Sequence, residues 1–196
     1  YVYNCNHSPF LSSAIEDNPK LESVPSTMGF QQPESLTNRA VRFYELFNKL
    51  DKVSYQDFKR IKYDRSYHTP LKSAPKLEPI FHLDPDKYPE IKESILLLAN
   101  WNREAVIESE AATLFNLAVD FLKRKIKNPA HFREGDKLNE ALLVEAIIYA
   151  RNYCNQYFGS VHVPLKKLQR HTRGSVNLPV SGGTDVLAAL SASKQE

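Results

Sequence analysis

The sequence predicts a mainly α fold, about five helices with short β-strands near both ends. Three observations lead there. Apolar residues recur at helical spacing in five separate stretches, the β-forming runs sit at the two ends of the chain, and the prolines fall at helix starts, between the helical stretches and in the terminal segments rather than inside the helices. At 196 residues the chain is long enough for one domain with a real core. It divides into an opening strand (1–10), a loop (11–34), a helical region (35–170) and a return segment (171–196).

The elements follow in order. In the opening strand Val2 and Tyr3 favour extended backbone, and Ser8-Pro9 ends any ladder they join. Residues 11–34 hold Pro19, Pro25, Pro33 and Gly29 among polar residues, an irregular excursion. The first helix runs from about Pro33 or Glu34 to Leu50, with Ala40, Val41, Phe43, Tyr44, Phe47 and Leu50 on its apolar side. Arg39 lies near its start, where a cation opposes the macrodipole unless a carboxylate or a carbonyl answers it. Ser54 and Asp57 make a capping box for a second helix, with Phe58 and Ile61 as its stripe. Pro70, Pro75, Pro79 and Pro85 mark residues 70–87 as an extended connector.

Pro89 suits the first position of a third helix carrying Ile91, Ile95, Leu96, Leu98 and Ala99 into Trp101. Ser109 caps a fourth, with Leu114, Leu117, Ala118, Phe121 and Leu122 inward and Lys123-Arg124-Lys125 at its C-terminal end. A fifth, opened at Gly135-Asp136 and closed by Gly159, buries Leu138, Leu142, Leu143, Ile147, Ala150, Cys154 and Phe158. On it Tyr149, Tyr153 and Tyr157 form a stripe, either a packing seam or a docking face. Val163 to Gly174 reads as a short helix and turn. Leu178 to Asp185 leads back toward a sheet, and Ala188 to Ala192 is a short helix or a frayed end.

Composition excludes several classes. Lys+Arg 26 against Asp+Glu 23 leaves a net charge of +3, too little to argue for a nucleic-acid partner. No apolar run is long enough to cross a bilayer, so membrane insertion is not expected. His68 and His82 lack a second ligand at helix or hairpin spacing. Gly182-Gly183 reads as a turn rather than a phosphate cradle. Cys5 and Cys154 lie far apart and each suits a small buried position. The chain opens at Tyr1 in mid-strand and reads as a piece of a longer polypeptide.

The chemistry-bearing motif is Asn4-Cys5-Asn6. On a strand both asparagine side chains reach one face, delivering two uncharged amides to one spot. A carboxamide NH2 is a good donor to an oxygen that becomes negative during a reaction, although both amides could equally satisfy neighbouring backbone.

Three blocks, in order, resemble the β-subunit of penicillin acylases and their cephalosporin, acyl-homoserine-lactone and aculeacin acylase relatives. They are Asn4-Cys5-Asn6-His7-Ser8-Pro9, then Leu98 and Trp101-Asn102 with the Ser109 to Phe115 helix start, and Leu178-Pro179-Val180-Ser181-Gly182-Gly183-Thr184-Asp185. Asn102 stands where that family usually has aspartate, which touches only a local hydrogen bond. The resemblance implies an N-terminal-nucleophile amide hydrolase with an αββα sandwich in the whole protein. Its nucleophile is the α-amino-terminal serine of the β-chain, upstream of these residues, so the segment alone would be inactive. By the same resemblance Asn6 is the side-chain donor of the oxyanion hole, and Arg39 opens the helix that supports the active site. Asp17 stands where penicillin acylases place one ligand of a structural calcium ion; no other cofactor is implied. The implied partners are a small-molecule N-acyl amide, as in antibiotic or quorum-signal deacylation, and the remaining β-subunit and the α-subunit of the same precursor. The implied location is the periplasm or the cell exterior. The competing class is a non-enzymatic helical interaction module, for which Asn4 and Asn6 would be dispensable.

Overall fold

The computed structural model describes residues 1–5, 8–28, 37–72, 74–126 and 138–186. Asn6 lies outside them, as do Gly135-Asp136 and residues 187–196. The fold is mainly α. The α-helices are α1 (Asn38–Phe47), α2 (Tyr55–Lys62), α3 (Lys92–Ala99), α4 (Glu110–Lys125), α5 (Glu140–Phe158) and α6 (Leu165–Leu168), with 3-10 elements before α1 and between α2 and α3. The sheet among the described residues is one antiparallel hairpin, β1 (Arg170–Arg173) with β2 (Val176–Pro179). Gly174, at φ 57°, supplies the left-handed backbone that its two-residue turn needs.

The helix starts follow from their caps. Thr37, Ser109 and Asn139 each accept a backbone N–H from the residue three further on, at 3.2, 3.1 and 2.8 Å. Ser54 and Asp57 form the expected reciprocal capping box. Among the described residues α1 opens at Asn38 behind Thr37 and α5 at Glu140 behind Asn139, each cap side chain replacing a missing backbone partner; the openings predicted at Pro33 or Glu34 and at Gly135-Asp136 lie outside the described residues. Gly159, at φ 75°, closes α5 as expected.

The core is a layer of α3, α4 and α5. Ile91, Ile95, Leu98, Leu114, Leu122, Leu143 and Ile147 are each at most 1 % exposed, all on the stripes their spacing predicts. Tyr67, Phe81, Trp101 and Phe115 form an aromatic cluster with ring centroids 5.2 to 6.1 Å apart. Such edge and offset contacts add to what area burial supplies. Phe58 departs from its predicted stripe: it is half exposed, and Ile61 alone anchors α2. The tyrosine stripe of α5 packs on itself, with Tyr153 and Tyr157 rings 4.6 Å apart and Tyr149 stacked on Phe121.

Three expectations change. Residues 70–87 are not extended throughout, since Pro75–Phe81 form a seven-residue 3-10 helix burying Leu77, Ile80 and Phe81. Pro75 sits at the helix start, where a proline costs nothing, and the apolar spacing at 77, 80 and 81 is helical. The helix after Val163 is only four residues, and Arg170–Arg173 is a strand. Near the N-terminus the described residues form a single antiparallel bridge, Val2 with Ser13, and no longer strand. Val2 is largely solvent-exposed, and the flanking tyrosines pack on a helix rather than on a sheet.

Candidate functional site

The opening segment lies along α1. Tyr1 meets Phe47 with centroids 4.5 Å apart, and Tyr3 stacks on Phe43 at 4.4 Å. Two residues of extended chain advance about 6.6 Å and four residues of helix about 6 Å, so a strand laid on a helix keeps step with it in just this ratio. The next pair in that series is Cys5 with Arg39, and the Cys5 thiol does feel the Arg39 guanidinium. Burial pushes that thiol up, Arg39 pulls it down, and Asp185 pushes it up again. Burial likewise raises the Tyr3 phenol to about 12. The two ring pairs thus lead the opening segment along α1 toward the first turn, on which Arg39 lies.

Arg39 is answered by a carboxylate. Its Nε donates to Asp185 Oδ1 at 3.1 Å, while Asp185 Oδ2 accepts the backbone N–H of Asn38 at 2.6 Å. The Asp185 carbonyl also accepts from Asn38 Nδ2 at 3.0 Å. Asn38 is buried and ties in a third strip of chain: its Nδ2 reaches the Ser66 carbonyl at 3.1 Å, and its Oδ1 accepts from the His68 N–H at 2.8 Å. A negative group here also complements the N-terminal dipole of α1. The unfavourable cation near the helix start is thus neutralised from the far end of the sequence.

The return segment reaches this place through a tight passage. The Gly182 N–H donates to the Ala105 carbonyl at 2.7 Å, and the Gly182 carbonyl accepts from Asn116 Nδ2 and Gln169 Nε2 at 3.2 and 3.0 Å. At Gly183 an added Cβ would stand 2.5 Å from both Asn116 Oδ1 and the Tyr67 hydroxyl. Only glycine fits there. Burial holds the Tyr67 phenol strongly protonated, with Asp185 adding to the effect.

Beneath lies a second charged contact. Arg103, in left-handed backbone at φ 64°, is buried; it lies over the Phe81 ring and donates to Glu78 Oε1 at 3.0 Å. Burial pushes the Glu78 carboxyl up, but the Leu71 N–H at 2.8 Å, Arg103 and His82 outweigh it and hold it below its ordinary value. Asn102 makes the local bond its position requires, accepting from the Glu104 N–H at 3.0 Å. His68 and His82 both face carboxylates, Glu45 at 2.6 Å and Glu78 at 3.1 Å. Among the described residues no group of three or more His, Cys, Asp or Glu is arranged to hold a metal. Asp17 is exposed, at the end of the 3-10 turn Ile15–Asp17.

Of the residues read from sequence, Arg39 lies on the helix along which the opening segment runs, Asp17 lies on the 3-10 turn Ile15–Asp17, and Asn6 lies outside the described residues. Asn38 and Asp185 escaped functional assignment. Their only signal was the aspartate closing the Gly182-Gly183 block, whose distant partner no local pattern reveals.

An asparagine motif, a helix laid beside it and a glycine passage leading back to that helix together suit a hydrolase whose site is built from distant segments. The Penicillin amidase family model matches residues 1–195, and the chain belongs to that family. It is therefore of the acylase/amidase hydrolase kind. No helix among the described residues is long and apolar enough to cross a membrane.

Proposed function

We propose that this chain serves the hydrolysis of a linear N-acyl amide by an N-terminal serine lying outside these 196 residues, whose own α-amine acts as the base. Attack on the carbonyl carbon creates a tetrahedral oxyanion. Asn6 donates its side-chain N–H to that oxygen together with a backbone N–H from elsewhere in the protein. Arg39 holds the helix beside the motif. The chain is inactive without the remaining β-subunit and the α-subunit of the same precursor, and the enzyme works in the periplasm or outside the cell. The observation that carries this reading is the run of the opening segment along α1, with Tyr1 against Phe47 and Tyr3 against Phe43. That run leads the segment ending in Asn6 along the helix whose first turn carries Arg39.

A calcium ion wants six to eight oxygens, and at that place the described residues offer the exposed carboxylates of Glu16 and Asp17, with no group of three or more His, Cys, Asp or Glu arranged to hold a metal. The set is not complete among them, and no step of the reaction passes through the ion.

The test is hydrolysis of phenylacetyl, glutaryl and long-chain acyl-homoserine-lactone substrates by the full-length protein and its Asn6→Ala variant. Loss of one oxyanion donor costs about 10²–10³ in kcat, with maturation of the precursor intact. A variant that matches the parent makes the asparagine motif structural and ends the proposal.

A further inference from the structure

We propose that Asp185 is a positioning residue for the hydrolytic site, fixing the Arg39 guanidinium and the first turn of α1 beside the opening segment. The inference rests on the reading that Asn6 and Arg39 serve the reaction.

The geometry exceeds what a helix cap requires. Thr37 already caps α1 through the Ala40 N–H. Asp185 adds three bonds to two consecutive residues: carboxylate oxygens on the Asn38 N–H and Arg39 Nε, and its carbonyl on Asn38 Nδ2. With one carboxylate oxygen on the helix backbone and the other on the guanidinium, Arg39 is held in a fixed orientation relative to its own helix. Asp185 itself has little freedom. It adopts left-handed backbone at φ 65°, between the packed Gly183 and the fully buried Val186. A rigid return segment therefore clamps one arginine, and the Asn38 amide passes the same clamp to Ser66 and His68.

The ion pair is a quarter exposed on both partners, so it contributes little to folding. That separates the two roles an experiment must tell apart. Asp185→Asn is the informative substitution. Asparagine tolerates left-handed backbone and can still accept from the Asn38 N–H, so the cap survives. What disappears is the charge opposite Arg39.

In the full-length protein, the Arg39 Nε–H should exchange slowly by nitrogen-15 NMR and exchange faster in Asp185→Asn. With whichever acyl amide is cleaved, kcat per active site titrated with an acylating inhibitor should fall about tenfold to a hundredfold, the size of effect that slight misplacement produces. KM should stay within about twofold. In an Arg39→Gln background, Asp185→Asn should add little more, since both act through one contact. An Arg39 Nε–H that exchanges as in free arginine, an unchanged kcat, or additive losses would each overturn the proposal. If Asn6→Ala is active and unchanged, the underlying reading fails; if Asn6→Ala is impaired and Asp185→Asn is not, this inference alone does.

Discussion

Glu78 offers the sharpest stability experiment. Its carboxylate accepts from the Leu71 N–H and from Arg103, and the paired side chains are only 15 % and 8 % exposed. Glu78→Ala removes one partner and leaves a buried guanidinium beside Phe81 with its charge unanswered. Breaking such a pair costs about 3–5 kcal/mol, and the Leu71 N–H left without its acceptor falls within that figure rather than on top of it. Against a typical total of about 5–15 kcal/mol, this is a large share. Glu78→Gln keeps an acceptor for Leu71 and should cost less than Ala. The sign with pH follows from the lowered carboxyl. Its contribution is present above the unfolded glutamate value of 4.5 and is lost as pH falls through the lower folded value. Urea unfolding of the parent and both variants at several pH values measures this. A loss under about 1 kcal/mol for Glu78→Ala at neutral pH, or a Gln gap that does not narrow in acid, would refute the reasoning.

Two further perturbations complement the Asn6 and Asp185 tests. Gly183→Ala forces a methyl to within 2.5 Å of Asn116 and Tyr67, which overpacking costs put at about 1–3 kcal/mol; an unchanged melting temperature would mean the return segment is not wedged as described. His162 bridges Glu110 at 2.7 Å and Glu93 at 2.9 Å, and those carboxylates raise its imidazole above the ordinary 6.5. Its stabilising effect is fully present below 6.5 and disappears as pH rises through the higher folded value. His162→Gln should therefore narrow the gap in melting temperature between mildly acidic and alkaline buffer, and an identical gap in both proteins would count against the bridge.

How much was legible in the sequence varies by the kind of interaction. The stripes of α4 and α5, the Ile91, Ile95 and Leu98 positions of the third stretch (though not Leu96 and Ala99, which are exposed), the Ser54–Asp57 box and the Gly159 stop were readable because each depends on residues within a turn or two of one another. Pro75–Phe81 was misread because four prolines outweighed an apolar spacing that only burial makes decisive. Phe58 failed in the opposite sense, since spacing cannot tell whether a partner waits on the predicted face.

By itself the sequence determined the mainly α fold, the Ser54 and Ser109 caps and the ordered motifs that mark a penicillin amidase family member. What only the tertiary structure decided is the company those motifs keep. Arg39 meets Asp185 across 146 intervening steps of chain, Glu78 meets Arg103, and Gly183 slips between Asn116 and Tyr67. Contacts of that span leave no periodic trace, because the energy that selects them comes from burial and charge pairing after the chain has closed on itself. Local propensity brings each residue to its helix or turn; only packing brings a carboxylate to the arginine that needs it.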